Sequence, residues 1–213
     1  EEPPRDVFQW TADPSEAPPE GALVEIAFEQ GRPVSIDGEP LAAELLVERL
    51  NAVGGAHGVG RIDHVENRLV GIKSRELYEA PAAVILHDAH REIESLCLSR
   101  PAQRFKTLVA QEYADLIYNG LWFSGFHQDL FAFVASNQRF VSGHVRVKFF
   151  KGKATVVGRK SEHSLYRHEL ATYEEGDQYD ASAAMGFIKI HGLGQVTQAK
   201  HQMLKGTGHR LEL

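Results

Sequence analysis

Glu66 and Tyr78 are the two side chains of this 213-residue chain whose types best suit a small ligand. A carboxylate can receive an ammonium, and a phenol both gives and takes a hydrogen bond. The two lie twelve residues apart in a dense polar run that includes Arg61, Asp63, His64, Asn67, Arg68, Arg75 and Glu79. Gly54, Gly55, Gly58 and Gly60 stand just before it and permit close backbone approach. Loops and strand ends fixed by a rigid scaffold often build sites. Together the groups suit an amino-acid substrate. They also read as a turn held by structural salt bridges, and residue chemistry alone leaves both readings open.

Other candidates resolve toward plainer readings. His87 and His90 can share a helical face and hold a metal, but two ligands without a clear third are a weak signal. An amphipathic helix carrying two histidines near Asp88 is the preferred reading. Arg146, Lys148, Lys151, Lys153, Arg159 and Lys160 form a basic stretch beside Phe149 and Phe150, which a nucleic-acid hairpin would need. Yet Val145, Val147 and Phe149 alternate with it, so a packed face opposite a solvated one is preferred. Glu174, Glu175, Asp177 and Asp180 lack the ligand order of a calcium loop and read as a solvated loop. The sequence contains no GxxxxGK[ST] loop, GxSxG elbow or paired-cysteine zinc signature.

These residues need elements to position them. Val24, Ile26 and Phe28 alternate on one strand, a return strand runs from Val34 to Ile36, and Leu41, Leu45 and Leu50 recur at helical spacing. That helix should stop at Gly54-Gly55. Leu69, Val70 and Ile72 look like a short buried strand. Helices are expected over 79–98, 101–123, 126–139 and 181–205, with a hairpin turning at Lys151-Gly152. Strands, helices, then a hairpin predict an α+β fold: a mixed or antiparallel sheet with packed helices and a C-terminal helical arm. The domain reading is a proline-rich linker or strap (1–22), a main domain (23–180) and a terminal helical segment (181–213).

A hydrophobic fraction of 43% is enough for a sizeable core, and the net charge of −6 gives no global pull toward nucleic acid or anionic lipid. Cys97 is a lone cysteine, which fits a reducing compartment. No run is long and apolar enough to suggest a membrane span.

The stretch GGAHGVGRIDHVENRLVGIKSRELYEAP (54–81) closely resembles the C-terminal half of argininosuccinate synthase, whose members read much like GG-K/R-HGVGR-x-D-x-VENR-x-x-G-x-KSRG-x-YE-x-P. The likeness continues through FEQGRPVSIDG, LWFSG, VVGRKSEHSLYRHEL and GFIKI. The resemblance implies a cytoplasmic, homotetrameric ligase of arginine biosynthesis that joins citrulline to aspartate using ATP, with magnesium. The ureido oxygen is adenylylated and the aspartate amine then displaces AMP. It assigns Glu66 and Tyr78 to citrulline, as positioning rather than acid–base groups, and assigns no catalytic, cofactor or metal residue here. The family's ATP loop and aspartate contacts lie upstream of Glu1, so the chain alone is expected to hold no nucleotide and to be inactive. The resemblance makes 23–180 the synthetase, citrulline-contacting domain and 181–213 a C-terminal oligomerisation arm; the alternative is a non-catalytic binding or assembly module derived from that domain.

Three departures stand out. Ala56 replaces a basic residue, Glu76 replaces a glycine, and Gly192 and Gly194 each cost a helix about 1 kcal/mol relative to alanine. If the replaced glycine needs positive φ, Glu76 is strained and re-aims Tyr78. The terminal GHRLEL reads as a cloning scar.

Overall fold

The computed structural model describes residues 1–171 and 182–203; the acidic loop at 174–180 and the terminal GHRLEL lie outside them. The chain divides into two units, Glu1–Leu165 and Tyr166–Leu213.

The first unit is built on a five-stranded antiparallel sheet. Its strands are β1 (Ala22–Glu29), β2 (Arg32–Ile36), β3 (Glu39–Pro40), β6 (Gly143–Phe150) and β7 (Lys153–Lys160), in the order β3-β2-β1-β6-β7. The predicted alternation holds. Val24, Ile26 and Phe28 of β1 face the core with Val145, Val147 and Phe149 of β6, while Arg146 and Lys148 face outward. The register sets Val24 opposite Val147 and Ile26 opposite Val145, so apolar residues meet across the ladder. The basic stretch is therefore the solvated side of a packed hairpin.

Helices α1 (Ala43–Ala56) and α2 (Pro81–Cys97) pack on each other and on this core. Leu46, Leu50, Ile85, Ala89 and Ile93 are buried in it. Two expectations fail in α1. Leu46 rather than Leu45 belongs to the buried stripe, with Leu45 exposed. The helix also does not stop at Gly54-Gly55 but runs through both to Ala56. Gly55 serves close approach instead: a Cβ there would lie 2.4 Å from the Trp10 carbonyl oxygen, and the Gly55 carbonyl accepts from Ala12 N–H at 2.8 Å. Gly60 has φ +100°, and a Cβ would lie 2.5 Å from Pro81 Cα, so any side chain would collide with the start of α2. The glycine-rich stretch is thus where the N-terminal strap and the start of α2 crowd against the end of α1. The Lys151-Gly152 turn joins them, with Gly152 N–H donating to the His57 carbonyl at 2.7 Å.

Between these helices the chain leaves the core as a separate hairpin of β4 (Arg61–Asn67) and β5 (Lys73–Glu79). Leu69, Val70 and Ile72 are not a buried strand; they sit exposed in its turn. Five residues between two paired strands are a hairpin connection, so their apolar character has no core to enter. Helices α3 (Arg100–Tyr118) and α4 (Gly125–Gln138) pack together through Val109, Leu116 and Leu130. Pro81 and Pro101 begin α2 and α3, where a missing N–H costs nothing.

The second unit contains α5 (His168–Ala171) and α6 (Ala183–Gln198), followed by a π-helical turn over Ala199–Met203. Gly192 and Gly194 lie inside α6 without interrupting it. Among the described residues, no helix is long and apolar enough to cross a membrane.

Candidate functional site

Antiparallel pairing of β4 with β5 decides which side chains meet. Ile62 pairs with Tyr78, His64 with Glu76 and Glu66 with Ser74, so these six share one face of the hairpin. Tyr78 reaches along this face, and its hydroxyl donates to Glu66 Oε2 at 3.4 Å, a long hydrogen bond. His64 Nε2 stands 3.5 Å from the same oxygen, and its ring packs against Tyr78 with centroids 5.5 Å apart. Ser74 Oγ is covered and has no hydrogen-bond partner among the described residues. Burial first, then the charges of Glu66 and Glu76, raises the Tyr78 pKa above the ordinary phenol value. The hydroxyl therefore stays protonated and available as a donor.

The predicted pair is brought together by the fold, side by side on an exposed face. What the face offers is one anionic acceptor and one neutral donor, the complement of an ammonium and a carboxylate on a single ligand. The expected strain at Glu76 is absent. It lies in β5 outside the positive-φ residues and accepts from Arg68 at 3.3 Å. A regular strand position suits glutamate as well as glycine, so Tyr78 is not displaced by backbone distortion there.

The opposite face of the hairpin is tied together and tied down. Arg75 donates twice to Asp63, Nε to Oδ1 at 2.8 Å and a terminal nitrogen to Oδ2 at 2.6 Å. That bidentate pairing lowers the Asp63 pKa and raises that of Arg75. At the root, Arg61 faces Glu79 across the ladder, and both seize the N-terminal strap. The Glu79 carboxylate accepts from the backbone N–H groups of Gln9, Trp10 and Thr11 and from the Thr11 hydroxyl, at 2.7 to 2.9 Å. Arg61 donates to the Thr11 hydroxyl at 2.8 Å and its carbonyl at 2.9 Å, and lies 4.2 Å over the Phe8 ring. Burial alone would push Glu79 upward, but the four donors outweigh it and the net pKa shift is downward. At the other end of the hairpin, the Tyr118 hydroxyl of α3 donates to the Asn67 carbonyl at 3.1 Å.

Residue types did not single out His64, although a histidine two positions from Glu66 on a strand must share its face. The grip of Glu79 and Arg61 on residues 9–11 carries no local signal, since its partners are 50 to 70 residues apart in sequence. His87 and His90 do not converge on a metal position. His90 is committed to Gln138 Oε1 at 2.9 Å, and burial lowers its pKa. Among the described residues, no cluster of three His, Cys, Asp or Glu side chains is placed to hold a metal ion.

Comparison with known proteins points to one family. The family model described as the arginosuccinate synthase C-terminal domain matches residues 1–198. An argininosuccinate synthase of Dehalococcoides mccartyi is 55% identical over 201 residues, covering 94% of this chain and 50% of the relative. One from Symbiobacterium thermophilum is 53% identical over 204 residues, covering 96% and 51%, and one from Rubrobacter xylanophilus is 54% identical over 192 residues, covering 90% and 47%. The chain thus spans about half the length of the curated relatives it matches. With the family match running from the strap through the hairpin face to the end of α6, the chain belongs to the arginosuccinate synthase C-terminal domain family.

Proposed function

We propose that this chain is the citrulline-holding half of an argininosuccinate synthase. The observation that carries the reading is the meeting of the Glu66 carboxylate and the Tyr78 hydroxyl on one exposed face. Glu66 accepts the ammonium of citrulline, and Tyr78, kept protonated, turns its one O–H from the long bond to Glu66 and donates to the citrulline carboxylate. Holding the amino-acid end leaves the ureido group projecting away. Its oxygen is a poor leaving group until ATP adenylylates it with release of pyrophosphate; the aspartate amine then displaces AMP. The contribution of Glu66 and Tyr78 is orientation, which lowers the entropic part of the barrier. ATP, with its magnesium, and aspartate are substrates of the longer protein, so the 213-residue chain alone releases no pyrophosphate. The working form is a cytoplasmic homotetramer. Its assembly through the second unit is supported by α6, where Phe187, Ile188, Ile190 and Leu193 are all exposed.

The test is Glu66→Ala in the longer polypeptide. The KM for citrulline should rise at least tenfold, as expected for loss of a charge-assisted contact, while the KM for ATP stays within about twofold. Equal losses for the two substrates would overturn the assignment.

A further inference from the structure

We propose that His64 is a specificity-determining residue of the Glu66–Tyr78 face, its imidazole competing with a ligand's ammonium for the Glu66 carboxylate. This deepens the citrulline reading and rests on it. His64 Nε2 is 3.5 Å from Glu66 Oε2, the oxygen that Tyr78 also reaches at 3.4 Å. The ring packs on Tyr78 at 5.5 Å and 58°, the diagonal neighbour dictated by the pairing of Ile62 with Tyr78 and His64 with Glu76. The imidazole side chain is 46% exposed and the carboxylate 21%, so their interaction is partly screened by solvent.

The surrounding charges are otherwise occupied. Glu76, the register partner of His64, is held by Arg68 at 3.3 Å. Asp63, behind the strand, feels the histidine's charge but is committed to Arg75. Tyr78 is held neutral, and Tyr118 of α3 lies near enough to act on it. Glu66 is therefore the carboxylate on which an imidazolium at position 64 acts most directly.

The consequence has a sign. With a neutral imidazole, Glu66 carries its full negative charge and accepts the ammonium of a zwitterion. With an imidazolium, the pair is neutral and the positive ring repels the incoming ammonium. Amino-acid binding should weaken on acidification, by the roughly three- to fivefold expected of one partly exposed ion pair.

The experiment is an NMR titration of the longer polypeptide with citrulline at about pH 7.5 and about pH 5.5, repeated with N-acetylcitrulline, which has no ammonium. The citrulline dissociation constant should be roughly three- to fivefold larger at the lower pH, and that of N-acetylcitrulline should not follow it. His64→Gln, which keeps a donor but never charges, should retain the higher-pH affinity and lose the dependence; His64→Phe, which keeps the ring contact, should also lose it. Equal pH dependence in the parent chain and His64→Gln, or in the two ligands, overturns the proposal. Absence of citrulline binding at either pH, or binding indifferent to Glu66→Gln, defeats the citrulline reading itself and this proposal with it. Binding that depends on Glu66 but not on pH defeats only the role of His64.

Discussion

On β6, Val145, Val147 and Phe149 are fully buried, whereas on β4 the equivalent apolar position, Val65, is 63% exposed. Both strands sit in antiparallel ladders of good register, so backbone pairing is not what separates the two sheets. The five-stranded sheet is held by apolar area removed from water beneath two helices, a force without direction. The hairpin has almost none of that. A two-stranded ribbon is marginal in water, and this one depends on directional bonds: Asp63 to Arg75 along its length, Glu79 and Arg61 at its root, and Tyr118 near its tip. A ligand face built on such a ribbon can be open to solvent and still be placed, because its anchors are on the opposite face. The cost is that its position depends on charge.

The largest effect expected of a single change is therefore in the core. Phe149→Ala should lower unfolding free energy by about 3–5 kcal/mol, measured by denaturant titration. Phe149 is fully buried, and its ring stacks near the His57 ring at 6.3 Å, so little nearby can collapse into the space. A loss below about 1 kcal/mol would mean the sheet is not held chiefly by burial.

An intermediate effect belongs to the hairpin root. Glu79→Gln keeps the shape but weakens four charge-assisted bonds to the strap and should cost about 1–2 kcal/mol. Faster amide exchange should be confined to Gln9, Trp10 and Thr11, whose N–H groups the carboxylate receives. The pH dependence follows from the lowered Glu79 pKa. A carboxylate whose pKa is depressed on folding contributes stability above its unfolded value, and that contribution fades as pH falls through the folded value. Acidification from about pH 4.3 downward should free the strap in the parent chain, and Glu79→Gln should show no such step. Exchange at residues 9–11 that ignores both pH and the substitution would show that the strap is held by something else.

The same contrast explains what could be read from the residues. Alternation along β1 and β6 was legible because burial imposes a period of two on apolar positions. The stripe on α1 was misplaced by one, since Leu45 and Leu46 are equally apolar and only packing against α2 chooses between them. Gly54-Gly55 signalled a helix end, whereas close approach by the strap was the reason for Gly55. At the site, the types of Glu66 and Tyr78 could be read, but their meeting could not, because it depends on the β4–β5 register; the family likeness supplied it. Leu69, Val70 and Ile72 misled for the converse reason. In the hairpin, apolar character is not tied to burial, so a rule drawn from the core fails there.

The smallest expected effect sharpens that last point. Val70 is 76% exposed in the hairpin turn, between Leu69 and the positive-φ Gly71. Hydrophobic stabilisation counts only area that folding removes from water, and at this position the unfolded and folded chains expose nearly the same methyl groups. Val70→Ser should therefore change unfolding free energy by no more than about 0.5 kcal/mol, in either direction, and should leave the Glu66–Tyr78 contact intact. A loss of more than about 1 kcal/mol would mean that the turn packs against something in solution, and the claim that this hairpin stands on directional bonds alone would fail. A null result in stability, joined to a change in the citrulline affinity of the longer polypeptide, would instead place the turn's apolar residues in contacts made outside this chain, consistent with a ribbon whose tip is built to be covered by something other than its own core.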